Sequence, residues 1–289
     1  AKLTGKTQNG LSVGFIEAVT AEEKAKIDNN GERTFETVEP LTNFFVGRVQ
    51  KDYNEGKTIF GGILTSTNRD LDENLGQFMH KSAYSGGVDF TQYFKEKKWM
   101  FNLNTALSQV NGSKKAIEYT QKSSARYYQR PDNDYTDFDP DRTSLLGSGG
   151  RMQLMKLDDH LQLLGSISWK TPGFELNDLG YMQTADLIEA IFWAGYRVWE
   201  PKGIYRSYNI NGSIYSDWNF GGSNTGKGIN LNANIDLKNY WNAFTGGNIH
   251  TSSLSTGMLR GGPMMKTPGN INGRIGFSTD SRKKLEFEF

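Results

Sequence analysis

The stretch GINLNANIDLKNYW, residues 228–241, alternates without a slip: Ile229, Leu231, Ala233, Ile235 and Leu237 are apolar, while Asn230, Asn232, Asn234, Asp236 and Lys238 between them are polar. Successive side chains of a β-strand point to opposite faces, so this period of two predicts a strand with one greasy and one wet side. Two environments fit such a strand. A sandwich buries the greasy side in its own core, whereas an outer-membrane barrel turns it to lipid and the wet side to a lumen.

Working outward, the pattern repeats. WMFNLNTALSQV sends Trp99, Phe101, Leu103 and Leu107 one way and Asn102, Asn104, Ala106 and Ser108 the other. IYRSYNINGSIYSDW sets Tyr208, Ile210 and Ile214 against Asn209, Asn211, Ser213 and Asp217. LQLLGSISWK alternates with Leu164 as its one exception, and IEAIFWAGYRVW puts Ile191 and Trp193 on the same face as Glu189 and Arg197. No helical period competes over most of the chain, which predicts an all-β protein.

The connections carry more information than the strands. Strands are expected near 1–6, 11–20, 41–51, 57–68, 83–94, 98–110, 148–157, 160–170, 185–199, 204–218, 228–244, 248–260, 271–279 and from 284 onward. Short turns at TQNG, DYNEG, KEK, Asp158-Asp159, PKG, TGG and DSRK then alternate with longer loops at 21–40, 69–82, 111–147, 171–184, 219–227 and 261–270. Up-and-down transmembrane barrels keep short periplasmic turns at one rim and long extracellular loops at the other, while a sandwich with crossovers has no reason to. The expectation is an antiparallel up-and-down transmembrane β-barrel, partial, with about 14 strands in residues 1–289. Trp99, Trp169, Trp193, Trp199, Trp218, Trp241 and Tyr240 fall mostly near expected strand ends, where a barrel carries aromatic girdles, although aromatics favour strands anyway.

Composition narrows the function. Lys and Arg number 33 against 32 Asp and Glu, so nothing recommends a nucleic-acid partner. Cysteine is absent, which removes disulfides, thiolate nucleophiles and thiolate-bound zinc. The mean hydropathy of -0.61 does not argue against a membrane, because the strands of a barrel read as short alternating segments. The terminal KKLEFEF stops in mid-alternation and reads as a cut inside a strand, an authentic barrel terminus ending in Phe being the competing reading.

The longest connection, 111–147, holds a short helix from Lys114 to about Tyr128, capped by Ser113 and ended by Pro131. Beyond it Asp137, Asp139 and Asp141 alternate as oxygen ligands for a loose calcium loop would, but an EF-hand starting at Asp137 would need Gly and Glu where Arg142 and Ser148 stand. A solvated acidic turn balanced by Arg126, Arg130 and Arg142 is the plainer reading. His80, His160 and His250 stand alone, with no second histidine at ligand spacing, and no glycine-rich stretch matches a phosphate loop. Catalysis is therefore not expected, and no cofactor is.

The stretches VEPLTNFFVGRVQKDYNEGKTIFGG, KSAYSGGVDFTQYF, SSARYYQRPD, GFELNDLGYM and TDSRKKLEFEF resemble an uncharacterised family of Bacteroidota outer-membrane proteins. In its members a β-barrel-like domain of unknown function follows a domain similar to family 9 carbohydrate-binding modules. The resemblance implies an outer-membrane barrel with no catalytic residues to carry across, and this sequence lacks the N-terminal module and part of the C-terminal barrel. The expected protein is a non-enzymatic channel, receptor or scaffold in a larger envelope complex, with outer-membrane lipid, other envelope subunits and saccharide as partners. Its lumen would be lined by Asn102, Asn104, Asn209, Asn211, Asn230, Asn232, Asn234 and Asp236. A soluble or surface-exposed saccharide-binding β domain is the alternative.

Overall fold

The computed structural model describes residues 1–157 and 160–289, Asn29 by its backbone alone, so the turn expected at Asp158-Asp159 lies outside the described residues. Its strands are β1 Lys2–Lys6, β2 Leu11–Thr20, β3 Glu23–Asn29, β4 Glu32–Glu39, β5 Thr42–Tyr53, β6 Thr58–Arg69, β7 Ser82–Phe94, β8 Trp99–Asn111 and β9 Ser144–Leu157. There follow β10 Leu161–Lys170, β11 Leu187–Val198, β12 Tyr205–Trp218, β13 Asn224–Leu237, β14 Asn242–His250, β15 Ser253–Ser255, β16 Met265–Thr267 and β17 Asn270–Ser278. The α-helix, α1, is Lys114–Lys122, and Ser113 caps it by accepting from the Ala116 amide.

Thirteen strands form one antiparallel sheet in the order β1-β2-β5-β6-β7-β8-β9-β10-β11-β12-β13-β14-β17. Each strand pairs with the one before it, except where the hairpins β3–β4 and β15–β16 interrupt. In this order β1 and β17 are the end members. Residues 287–289 fold back on β17, where Phe277 and Phe289 exchange both backbone bonds at 3.0 Å, so the expected final strand is present only as this short antiparallel contact.

The two rims differ as expected. One carries the tight links between β1 and β2, β5 and β6, β7 and β8, β11 and β12, and β13 and β14; the other carries the excursions, α1 among them. Two tight turns have the same backbone. Asn54, Glu55 and Gly56 have φ of 50°, 57° and 75°, and Lys95, Glu96 and Lys97 have 49°, 56° and 64°. A left-handed residue with a Cβ costs roughly 1 kcal/mol, and only the first turn ends on glycine. Lys97→Gly should therefore raise stability by about 0.5–1 kcal/mol, read as a higher urea midpoint at unchanged slope.

Three expectations need correction. Residues 245–247 are not a turn: Gly246 and Gly247 lie inside β14, and the reversal falls at residues 238–241, where Tyr240 adopts φ 66° and its amide bonds the Leu237 carbonyl. The glycines allow close approach across the sheet, because a Cβ on Gly246 would meet Asn232 Oδ1 at 2.5 Å and one on Gly247 the Asn272 backbone carbonyl at 2.9 Å. Consequently 248–260 is not a strand and the link after β12 shrinks to residues 219–223. Finally, 21–40 is not an irregular loop but contains β3–β4, turned by Asn30-Gly31.

Pairing registers place the side chains. Leu231 pairs with Gly212 and Gly247, and Ile229 with Ile214 and Ile249, so the apolar residues of neighbouring strands share one face. Asn230, Asn232, Asn234 and Asp236 point to the other. Near the short-turn rim, ring pairs sit on the apolar side: Phe94 with Trp99, Tyr196 with Tyr208, and Trp241 with Phe277, at 6.3 to 6.4 Å. Trp193 is different; it lies over Gly195 on the polar face.

Candidate functional site

The polar face gathers the eight predicted lumen residues on one side of the sheet. Six of them, on β12 and β13, fall into two hydrogen-bonded networks. Asn232 donates to Asn230 (2.5 Å) and Asn211 (3.4 Å), and Asn211 to Asn209 (3.4 Å). Asn234 exchanges bonds with Asn242, which also donates to Asp236 Oδ1 at 2.9 Å. The first network runs on through Asn230 to Asn248 and Asn272, residues of β14 and β17 that an expected turn at 245–247 had hidden. Asn102 and Asn104 form a separate pair on β8, extended to Thr91 Oγ1 at 2.8 Å. Each amide both donates and accepts, so the surface offers hydrogen bonds without net charge.

At the long-loop rim this face turns apolar and is covered. Ala83, Val110 and Leu145, all on its side of the sheet, pack with Ile117 of α1 and with Tyr128 in one buried cluster. Phe174, Met182 and Ala185 form a second cluster with Ala106 and Leu176. The segment around Phe174 lies directly on β9, where a Cβ on Gly147 would meet the Phe174 amide nitrogen at 2.1 Å and one on Gly149 the Phe174 ring at 2.6 Å. Glycine at both positions makes the bed for that segment. The Glu175 amide then donates to Ser108 Oγ at 2.9 Å, pinning the segment to β8.

Polar clamps hold this cap. Arg126, its side chain wholly buried, donates to the carbonyls of Thr120, Pro172 and Phe174 and to Glu175 Oε2 at 2.8 Å. Tyr135 donates to Asp186 and accepts from Arg130 Nη2 (2.9 Å) and Asn219 Nδ2 (3.0 Å), tying three connections together. Burial and the Asp186 carboxylate push the Tyr135 phenol above its ordinary range.

A third clamp joins His80 Nδ1 to Asp178 Oδ2 and His80 Nε2 to Thr120 Oγ1, both at 2.7 Å, with Arg69 on Asp178 Oδ1. The order hydroxyl, imidazole, carboxylate is that of a hydrolytic relay. Thr120, however, sits inside α1, is 6% exposed and donates its proton to the Ala116 carbonyl at 3.0 Å, so the arrangement works as a latch between loops. Burial pushes the Asp178 carboxyl up, but the bonds from His80 and Arg69 outweigh it and hold the pKa below the ordinary 3.8. A depressed carboxylate contributes stability that is full above its unfolded value and lost as pH falls through its folded one. Urea midpoints of the native chain and Asp178→Asn should differ by a constant amount near neutral pH and converge in strong acid. A difference that widens on acidification would contradict the latch.

The remaining predicted residues are occupied elsewhere. Asp141 pairs with Lys114 at 2.7 Å, and Asp139 Oδ1 accepts the Asp141 amide at 2.9 Å. Among the described residues no group of three His, Cys, Asp or Glu side chains is arranged around a metal position, so the calcium reading of Asp137, Asp139 and Asp141 gains nothing. His160 and His250 bond the Arg197 carbonyl and the Tyr215 hydroxyl. The clamp residues were invisible to spacing because Arg69, Arg126, Glu175 and Asp178 come from connections far apart in sequence. The one signal was that SSARYYQRPD and GFELNDLGYM, which carry most of them, also carry the resemblance.

A thirteen-stranded antiparallel sheet with one polar face, one apolar face and a cap of connections at one rim defines an all-β protein of unusual sheet width. Across residues 1–289 the sequence matches the model of a domain of unknown function, DUF5916, and the chain belongs to that family. No curated protein matches it significantly.

Proposed function

We propose that this chain is an integral β-barrel segment of a bacterial outer membrane, its apolar face against lipid, its polar face around a lumen and its capped rim outside the cell. It acts without catalysis, as a channel, receptor or scaffold within a larger envelope assembly.

The observation that supports this reading is the uncovered apolar face. Leu64, Leu107, Leu231 and Ile275 are 65%, 60%, 62% and 75% exposed, on strands from both halves of the sheet. The buried hydrophobic side chains among the described residues belong to the capped rim instead. A water-soluble protein rarely leaves so broad an apolar surface bare, since each Å² buried is worth about 25 cal/mol. Lipid would cover it. The ring pairs at the short-turn rim fit the aromatic girdle of a membrane interface, and among the described residues no helix is long and apolar enough to cross.

Single cysteines at 231 and 232, labelled in this cysteine-free chain and read against a quencher dissolved in the bilayer, test the reading. Lipid contact at 231 with water contact at 232 is the expected result. Shielding of both labels from lipid, with recovery of the protein in the soluble fraction, would transfer the assignment to a saccharide-binding β domain.

A further inference from the structure

One row of directly paired residues crosses the polar face: Asp89 opposite Asn104, Asn104 opposite Arg151, Arg151 opposite Ser168, Ser168 opposite Glu189, Glu189 opposite Asp217. The charges along it are unevenly settled. Arg48 takes both oxygens of Asp89, at 2.9 and 3.0 Å, which neutralises that end. Arg151 and Lys170 on one side, and Glu189 and Asp217 on the other, form no ion pair among the described residues. Glu189 and Asp217 moreover face each other across adjacent strands, where like charges destabilise a sheet. The fold keeps this arrangement beside a cavity of about 530 Å³ that Arg151, Lys170, Glu189 and Asn104 line together with Phe174 of the cap.

The geometry points to this cavity as a binding site for a small zwitterionic solute carrying one carboxylate and one ammonium group, such as a short peptide. Resting on the lumen reading, it names the solute class that lumen would take. Arg151 and Lys170 receive the carboxylate, Arg151 by its two-pronged guanidinium. Glu189 receives the ammonium and is relieved of its repulsion with Asp217. Arg151 and Glu189 lie two strands apart, about 10 Å between backbones, a gap that side chains leaning inward reduce to dipeptide length. Arg151 and Lys170 face Glu189 across the cavity, so a solute with a single charge gains from one wall and loses to the other. The Ser168 hydroxyl between the walls suits the peptide group.

Binding of dialanine to the full chain in detergent micelles, measured by calorimetry beside N-acetyl-dialanine-methylamide as its uncharged counterpart, tests the site. Dialanine should bind at least tenfold more tightly than the capped peptide. Arg151→Gln and Glu189→Gln should each lose that tenfold preference, and the exchange Arg151→Glu with Glu189→Arg should restore it, because a zwitterion can bind reversed. Equal binding of free and capped dialanine overturns the proposal, and that comparison needs no variant to fold. Vesicle swelling separates the two readings: dialanine binding without passage keeps the site and retires the channel, whereas passage without binding keeps the barrel and retires the site.

Discussion

Arg126→Met should cost about 3–5 kcal/mol and open the capped rim, the penalty of leaving a buried charge without its partner. The Arg126 guanidinium is inaccessible to water and Glu175 is 6% exposed, so Glu175 cannot recover solvent in place of the lost bond. The carbonyls of Thr120, Pro172 and Phe174 lose their donor at the same time. Because these groups belong to two connections, the loss falls on the cap rather than the sheet. Amide exchange and protease cleavage should rise sharply at residues 112–143 and 171–186 while the sheet amides stay protected. The double change Arg126→Met, Glu175→Leu should recover a good part of the loss, since removing both charges also removes the cost of burying them. Equal damage from the single and double changes would show that the carbonyl bonds, not the ion pair, hold the cap.

In a bilayer, Leu231→Arg should cost about 2–4 kcal/mol, the price of a cation near the middle of a lipid-facing strand. Leu231 is the eighth of the fourteen residues of β13 and stands between Gly212 and Gly247, which leave it projecting. Ile235→Arg, nearer the short-turn rim, should cost less, because the penalty fades toward the interface. A protein core would show no such dependence on depth, so the gradient distinguishes lipid from packing where one substitution cannot. Asn232→Arg should cost only about 1 kcal/mol, for its bonds to Asn211 and Asn230. Reversible unfolding from vesicles measures all three.

The faces of the sheet were legible in the sequence because alternation is local: each of the eight predicted lumen residues stands on the polar face, and Leu164 departs from its strand's pattern as read. Strand ends were legible wherever glycine or proline marks a turn and nothing else. They failed at Gly246-Gly247, where glycine answers a neighbouring side chain and a neighbouring backbone across the sheet, and at residues 238–241, where Tyr240 takes a left-handed conformation without help from glycine. The hairpin β3–β4 had its signal in Asn30-Gly31, masked by the polar, charge-rich strands on either side. Of the cap, only the helix and its Ser113 start were legible. The cap's Arg126, Glu175, His80 and Asp178 are ordinary loop residues until the sheet brings three connections together, and the helix expected from Lys114 does not by itself show that Ile117 is fully buried.

The topology also orders construction. Sheet neighbours follow one another along the chain, so each new strand needs only the edge left by the last, and at the short-turn rim the loops closed are short. The cap obeys the opposite rule: Arg69 waits for Asp178, 109 residues later, and Asp132 receives the Met264 amide from 132 residues away. The clamps of Arg69, His80 and Arg126 close once residues 171–186 are in place, and the Asp132 contact waits for the segment beyond His250. A chain halted before residue 171 would present an uncovered rim along with its unfinished edge.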